Sequence, residues 1–282
     1  MPSDDQLRAA EREYEGILRR RQEELGVSRE LADYLIRLER RIEDLEPIHP
    51  TSEKKYSPNF AKDGTIRSMR IISLNVGLPS AQRYEGRQVI TGGAKKPVPR
   101  AVLRFGNFDG DRQADQLNHG GLEKAVCVYP FDHYPYWSRQ LGRDLKPGAF
   151  SENLTVSGAI ETEVCVGDVF QIGEASVQAS QPRMPCAKLA GKNGTKMLPK
   201  LIANLGYTGF YMRVLSEGLV AAGEGFDLLQ AHPERITIAD VNSVIYEKSY
   251  DVALIKRLAE LPEFSEVGRT LFAQRLERLA WG

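Results

Sequence analysis

The chain has 282 residues, of which 41% are hydrophobic and 27% are charged, a composition typical of one large globular domain or two smaller ones. Its 38 basic and 38 acidic residues cancel, so no global field attracts the chain to nucleic acid or to an anionic membrane. The first residues, MPSDDQLRAA, show no signal-peptide pattern, and the three cysteines form no CxxC pair. We therefore expect a cytoplasmic protein with reduced thiols and neither a disulfide framework nor a zinc site.

Residues 5–46 have the periodicity of two helices. Each helix has one apolar stripe, and these stripes contain Leu7, Ala10, Tyr14, Ile17 and Leu18, then Leu31, Leu35, Leu38, Ile42 and Leu45. We predict a helical hairpin over residues 1–46, which either packs on its own chain or serves as a dimerisation arm that would make a homodimer. Residues 47–68 are rich in proline and polar residues and indicate a linker.

Residues 69–235 have the composition of many short strands joined by Gly and Pro turns, which favours a β-barrel or a sandwich. Gly173 and Glu174 separate two strand-like segments and predict a two-residue hairpin turn. The segments 211–215 and 218–223 are interpreted as a further strand pair. From Pro233 onward the periodicity is helical, with segments at about 238–247, 251–260 and 266–280. They predict a three-helix module over residues 236–282, and its balanced charge makes it a poor DNA-binding candidate.

Two polar loops contain candidate binding residues. The stretch 110–124 contains His119, the Gly120–Gly121 pair and Lys124, and such a glycine pair lets backbone N–H groups approach an anion. The alternative is a solvated surface loop. The stretch 129–137, YPFDHYPYW, offers aromatic rings to a planar ligand and His133 as an acid or base. The alternative there is a packed aromatic cluster that contains a hydrogen-bonded histidine.

Two further stretches complete the candidate set. The stretch 148–158 contains Glu152 and Asn153, which either hydrogen-bond a heterocycle or are ordinary turn residues. The stretch 180–189, SQPRMPCAKL, holds Cys186 between prolines and basic residues, and Arg183 and Lys188 are expected to lower the pKa of its thiol. A thiolate in a stiff, cationic loop is typical of a metal ligand or a nucleophile, and the alternative is an inert buried cysteine. Cys127 and Cys165, each flanked by valines, are interpreted as core residues.

Four stretches in this order resemble the MOSC domain, named for the C-terminal domain of molybdenum-cofactor sulfurases. They are HGGLEKAVCVYPFDHYPYW, GAFSENLTVSG, VGDVFQIGEASVQASQPRMPCAKL and GYTGFYMRVL. The closest likeness is the stand-alone bacterial 6-hydroxylaminopurine-reductase type with a C-terminal three-α module. The likeness runs from about Met69 to the end of the chain. It implies a mainly β fold, with a MOSC-type β-barrel over 69–235 between the N-terminal hairpin and the three-helix module.

The resemblance also implies a cofactor and a site. The family binds the molybdopterin form of molybdenum cofactor, and Cys186 matches its metal ligand. The residues that match the surrounding motif positions are His119, Gly120, Gly121, Lys124, Glu152, Asn153, Arg183 and Lys188. One position departs from the pattern: the family often has glycine before the ENL triplet, where this chain has Ser151. If that position needs a positive φ, serine adds about 1–2 kcal/mol of strain.

The reaction implied by the resemblance is reduction of an N-hydroxylated base or a related N-oxygenated compound, with His133 or His119 as the proton donor. The chain has no flavin or nicotinamide fingerprint, so a separate reductase is expected to supply the electrons. The alternatives are a non-catalytic carrier of the cofactor or of a persulfide on Cys186, and a plain thiol hydrolase.

Overall fold

The structure is a computed structural model that describes residues 69–84, 86–246 and 251–280, with residues 12, 15–20, 22, 23 and 29 of the N-terminal region. The chain divides into two compact units, residues 1–46 and 47–282. In the first unit, residues 15–20 are helical, and the guanidinium of Arg29 pairs with the carboxylate of Glu15 at 2.6 Å. Most of the predicted hairpin and the whole predicted linker 47–68 lie outside the described residues.

The described part of the second unit contains twelve strands. They are β1 (Arg70–Val76), β2 (Ser80–Tyr84), β3 (Arg87–Thr91), β4 (Lys96–Val98), β5 (Arg100–Leu103), β6 (Val126–Pro130), β7 (Leu154–Ser157), β8 (Val169–Ile172), β9 (Ala175–Pro182), β10 (Phe210–Ser216), β11 (Gly218–Ala221) and β12 (Asp227–Gln230).

Eight strands form one mixed sheet in the order β12-β8-β9-β10-β6-β7-β1-β4. All neighbours are antiparallel except β6 and β7. The outermost strands of the described sheet, β12 and β4, each have one partner, so the sheet does not close on itself. The expectation of a closed barrel is therefore wrong, although the mainly β architecture with C-terminal helices is confirmed. Pro97 in β4 lacks an N–H group, and proline is tolerated in sheets chiefly at such edges.

The predicted turn at Gly173–Glu174 is confirmed, because it joins the antiparallel strands β8 and β9, and Gly173 has the positive φ of 57° that the turn requires. The predicted pairing of segments 211–215 and 218–223 is wrong. Strand β11 pairs with β5, while β10 pairs with β9 and β6. Glu217 alone separates β10 from β11, which is too short for a hairpin turn, and its carboxylate accepts a 2.8 Å hydrogen bond from the Phe105 N–H beside β5.

The helices of this unit include three short ones near the sheet and three at the C-terminus, as well as one at residues 198–205. They are α1 (Gln116–His119), α2 (Tyr134–Gln140), α3 (Ala187–Asn193), α4 (Leu198–Leu205), α5 (Ile238–Tyr246), α6 (Val252–Glu260) and α7 (Glu266–Ala280). The last three match the predicted helical segments within a few residues. Among the described residues, no helix combines the length and apolar character needed to cross a bilayer.

An aromatic cluster lies beneath the loops that shape the cavity described below. The rings of Tyr129 and Phe150 stack with centroids 4.1 Å apart, and the indole N–H of Trp137 donates to the Tyr129 hydroxyl at 2.7 Å. Leu189 of α3 belongs to the same buried cluster. Tyr129, Tyr134 and Trp137 of the stretch 129–137 are thus buried packing residues, which is the alternative to ligand stacking. The cluster fixes α3 and the loop 148–153 relative to the sheet.

Candidate functional site

A cavity that opens to solvent lies where the polar loops of the sheet meet. Its wall contains six of the residues singled out from the sequence: His119, Lys124, Asn153, Arg183, Cys186 and Lys188. They come from three loops that are far apart along the chain. The fold therefore brings the cysteine and most of the predicted basic residues into one place.

Cys186 is the N-cap residue of α3 and is partly exposed to the cavity. Pro185 precedes it, and its backbone is extended, with φ −122° and ψ 161°. Burial alone would raise the pKa of the thiol. The hydrogen bond to His119 and the positive charges of His119 and Arg183 outweigh burial and lower the pKa to about 6. At neutral pH the side chain is therefore mainly a thiolate, the form that ligates metals and attacks electrophiles.

Arg183 places a buried positive charge in the cavity wall. The residue is only 6% exposed, and no carboxylate forms an ion pair with it among the described residues. Burial alone would lower the pKa of Arg183, but the nearby Cys127, Tyr211 and Cys186 side chains raise it, so the guanidinium stays charged. A buried cation is costly, the Cys186 thiolate compensates for part of that cost, and an anionic ligand would compensate for more of it.

The loop 110–124 supplies further wall residues, among them Asp115 and Lys124. Asp115 caps α1 by accepting from the Asn118 N–H at 3.1 Å, and one of its carboxylate oxygens lies 3.9 Å from the ammonium of Lys188. The ammonium of Lys124, which is 6% exposed, donates to the Asn118 carbonyl at 3.1 Å. The backbone carbonyl of Asn118 in α1 thus holds the Lys124 ammonium at the wall.

Gly120 and Gly121 lie outside the cavity wall. Gly120 ends α1, and its N–H donates to the Gln116 carbonyl at 2.9 Å. Gly121 has a φ of 99° and begins the 3₁₀ turn that carries Lys124. In this structure the two glycines shape the chain that delivers His119 and Lys124, and the anion contact predicted for them stays a prediction.

Glu152 and Asn153 have different positions. Asn153 lines the cavity, accepts from the Cys127 N–H at 3.1 Å and donates to Asp111 at 2.9 Å. The carboxylate of Glu152 is fully buried beneath the wall and accepts hydrogen bonds from the N–H groups of Gly148 and Phe150, at 2.8 and 3.1 Å. These hydrogen bonds fix the conformation of the loop 148–153.

His133 is outside this cavity. Its imidazole Nε2 lies 2.7 Å from the Glu161 carboxylate, and its ring stacks on Tyr207 with centroids 3.8 Å apart. The residue is 7% exposed. The structure therefore places His133 in a buried pair, and only His119 of the two histidine candidates lies beside Cys186.

The sequence analysis missed several wall residues, among them Tyr84, Lys95 and Arg112. Lys95 forms a buried ion pair with Asp111, the same carboxylate that holds Asn153. Arg112 lies beside Gly92, where an added Cβ would sit 2.0 Å from the Arg112 carbonyl oxygen. The run TGGAKK, residues 91–96, could have predicted the position of Lys95 at the site, because a glycine pair followed by lysines is also an anion-binding pattern.

Ser151 adopts the positive φ considered above, with a value of 62°. Its hydroxyl accepts a 3.2 Å hydrogen bond from the ammonium of Lys192. That ammonium also donates to the carbonyls of Gly93 and Gly148, at 2.7 and 2.6 Å. Serine thus replaces the expected glycine at some cost in backbone strain. Its hydroxyl is one of the three groups through which the Lys192 ammonium links two loops of the wall to α3.

Comparison with known proteins identifies the family. The model of the MOSC domain matches residues 115–226, and the model of the YiiM-like, 3-alpha helix domain matches residues 236–279. The uncharacterized protein YflK of Bacillus subtilis is 45% identical over 210 residues, which cover 74% of this chain and 95% of that protein. The chain belongs to the MOSC-domain family.

A solved structure and a second relative extend this result. The crystal structure of YiiM from Geobacillus stearothermophilus matches with a TM-score of 0.63 and 37% identity, covering 74% of this chain and 99% of that one. A protein of Gibberella moniliformis named "Reductase" is 31% identical over 157 residues, which cover 54% of this chain and 28% of that protein. The resemblance to stand-alone MOSC proteins with a three-α module is therefore confirmed.

The residues of this MOSC domain fit the cofactor with which the family is associated. Molybdenum cofactor combines a metal that accepts soft sulfur ligands with an anionic phosphate. The cavity offers one thiolate, Cys186, and the buried guanidinium of Arg183, which has no carboxylate ion-pair partner among the described residues. Further cations line the same wall: Lys95, Arg112, Lys124 and Lys188.

Proposed function

We propose that this protein binds molybdenum cofactor in the cavity, with Cys186 as the metal ligand, and reduces N-hydroxylated bases or related N-oxygenated compounds. One observation carries the proposal: a thiol whose pKa lies at about 6 shares the cavity with a buried arginine that has no carboxylate partner among the described residues. The name of the fungal relative, "Reductase", supports the reductive direction.

The residues that would hold the cofactor are of two chemical kinds, a sulfur ligand for the metal and basic side chains for the phosphate. Cys186 supplies the soft sulfur ligand, and the hydrogen bond from His119 keeps it deprotonated. Arg183 is suited to a planar, bidentate contact with phosphate, while the flexible ammonium groups of Lys124 and Lys188 act as point charges. When bound, the cofactor supplies the two-electron chemistry that amino-acid side chains lack.

The remaining chemistry falls to the protein and its partners. Reduction breaks the substrate N–O bond, consumes two electrons and two protons, and leaves an amine and water. The imidazole of His119 is the proton donor best placed for this, because it lies beside Cys186 in the cavity, whereas the buried ring of His133 pairs with Glu161. We propose that a separate reductase supplies the electrons.

The decisive experiment is metal and pterin analysis of protein expressed in a cofactor-competent host, together with turnover of 6-hydroxylaminopurine with an artificial electron donor. The wild-type protein is expected to carry molybdenum and pterin and to form the amine. Cys186→Ser should abolish turnover, and Cys165→Ser is the matched control, because Cys165 is buried and does not line the cavity. Wild-type turnover by Cys186→Ser would refute the ligand assignment. A loaded but inactive wild-type protein would favour the cofactor-carrier alternative.

Arg183 provides a second arm of this experiment. Arg183→Ala should lower the pterin retained after gel filtration, because a charge-assisted hydrogen bond to a desolvated anion contributes about 1.5–3 kcal/mol. Arg213→Ala is the matched control, since Arg213 pairs with Glu123 at 3.0 Å and does not line the cavity. Equal pterin content in both variants would assign Arg183 a structural role only.

A further inference from the structure

Tyr84 enters the cavity from a small hairpin that is otherwise largely exposed. Strands β2 and β3 form a separate two-stranded sheet, and most of their side chains face solvent. Tyr84 and Thr91 of this hairpin line the cavity. Tyr84 is half-buried, whereas the cavity's other tyrosine, Tyr211, is 7% exposed and has little accessible ring surface. Of the two tyrosines in the described wall, Tyr84 therefore offers the accessible ring.

The Tyr84 ring is anchored to the helix that begins at Cys186. A Cβ built on Gly191 of α3 would lie 3.0 Å from the Tyr84 Cβ and 3.4 Å from its Cγ and Cδ2. A side chain at position 191 would therefore require the Tyr84 side chain to move by a few tenths of an ångström, so glycine gives the closest packing of Tyr84 on the helix backbone. Burial and, secondarily, the negative charge of Cys186 raise the pKa of Tyr84, which is consistent with the phenol and the thiol facing the same space.

The chemistry of this ring differs from that of the rest of the wall. The neighbouring basic residues recognise negative charge, whereas a tyrosine ring offers a flat, polarisable surface on which a planar heterocycle stacks. The Tyr84 hydroxyl has no hydrogen-bond partner among the described residues, so it does not stabilise the fold through a hydrogen bond within that part of the chain. Because the ring projects from an exposed hairpin rather than from the buried sheet, a substrate entering from solvent meets it.

We propose that Tyr84, held by its contact with Gly191, is the specificity-determining residue that stacks a planar aromatic base beside the site of Cys186. This inference rests on the proposed function and narrows it. It predicts that the protein prefers N-hydroxylated heteroaromatic bases over aliphatic N-hydroxy compounds, which have no ring to stack.

The first test compares 6-hydroxylaminopurine with N-hydroxyurea as substrates of the cofactor-loaded protein. Tyr84→Ala should raise KM for the purine about tenfold, since stacking on one aromatic side chain is worth about 1–3 kcal/mol. The kcat for the purine and the KM for N-hydroxyurea should change little. Tyr84→Phe keeps the ring and should behave like wild type. Equal effects of Tyr84→Ala on both compounds, or failure of Tyr84→Phe to restore KM, would overturn the proposal.

Gly191→Ala tests the anchor without removing the ring. Alanine favours the helix, so the variant should melt no lower than wild type, while its methyl group shifts the Tyr84 side chain by a few tenths of an ångström. We expect a several-fold rise in KM for the purine and no further rise when Gly191→Ala is added to Tyr84→Ala. Additive effects of the two substitutions would show that they act independently and would contradict the anchor.

A binding measurement separates this inference from the proposed function. Calorimetry of adenine with the cofactor-free protein needs no turnover and should show weaker binding to Tyr84→Ala than to wild type. An inactive, cofactor-free wild-type protein would refute the reductase while this binding difference still supported the stacking role. Absence of adenine binding to wild type, or pterin loss from Tyr84→Ala at unchanged KM for the purine, would refute the stacking role itself.

Discussion

Cys186 illustrates how a few neighbours set the reactivity of one residue. Burial disfavours its thiolate, yet the His119 hydrogen bond and the charges of His119 and Arg183 hold its pKa at about 6. The other two thiols lie in surroundings that raise their pKa and disfavour the thiolate. Burial is the main cause that raises the pKa of Cys127, and burial raises that of Cys165 to about 11. The cofactor-free protein thus has one reactive thiol among the three.

The pH dependence of alkylation tests this directly. In cofactor-free protein, the rate of iodoacetamide labelling should rise about tenfold between pH 5 and pH 7, because the thiolate fraction of a group with a pKa of about 6 rises by that factor. Mass spectrometry of the labelled peptides should locate the label on Cys186. A midpoint near pH 9, or equal labelling of Cys127, would contradict the arrangement.

At the scale of elements, the cavity depends on how loops are tied together. The ammonium of Lys192 on α3 joins the Gly93 carbonyl, the Gly148 carbonyl and the Ser151 hydroxyl. Ser151 keeps a left-handed backbone within this link. The sheet supplies the frame, and these contacts set the shape of the wall between β3, β7 and α3.

Substitutions at Ser151 separate backbone strain from hydrogen bonding. Ser151→Ala keeps the unfavourable positive φ and loses the hydroxyl, whereas Ser151→Gly loses the hydroxyl but removes the strain. Ser151→Gly should therefore be more stable than Ser151→Ala by about 1–2 kcal/mol. Urea unfolding of the three proteins measures this difference. Equal stabilities of the two variants would show that the backbone at this position is not strained.

Lys192 makes stability depend on pH in a defined window. Burial is the main cause that lowers its pKa from 10.5 to about 8 in the folded protein. Between these values the unfolded chain binds more protons than the folded one, so the free energy of unfolding rises with pH. Below about pH 8 both states are protonated, and the burial penalty is constant.

The matched comparison is with Lys192→Met, which lacks the titrating group. The stability of wild type relative to this variant should be flat below about pH 8. It should then rise by about 3 kcal/mol up to about pH 10.5, because each pKa unit corresponds to about 1.4 kcal/mol. Parallel pH profiles of the two proteins in urea unfolding would show that Lys192 titrates normally.

The sequence predicted the elements and the chemistry of the loops better than their pairing. Periodicity located the three C-terminal helices. The basic residues near Cys186 predicted the direction of its pKa shift, but the larger contribution of His119 was missed because that residue is distant in sequence. Periodicity does not specify which strands pair, so the partner of β11 and the open edges of the sheet were missed. The cavity contribution of Tyr84 was also missed, because it depends on a contact with Gly191, more than a hundred residues away.

At the scale of the whole molecule, the separate N-terminal unit raises the question of assembly. Every cavity residue lies in the second unit, residues 47–282. The sequence of the first unit predicts helices with apolar stripes that need to be covered, and helices of the predicted length are marginal on their own in water. A dimer is the commonest symmetric assembly in which such stripes are buried.

Deletion of residues 1–46 tests this arrangement. We expect the shortened protein to keep its fold, its pterin content and its turnover of 6-hydroxylaminopurine, because the cavity residues and the strands that position them are retained. Light scattering should show a dimer for the full chain and a monomer for the shortened one. Equal subunit numbers for both, with a much lower melting temperature for the shortened protein, would instead show that the N-terminal unit stabilises its own chain.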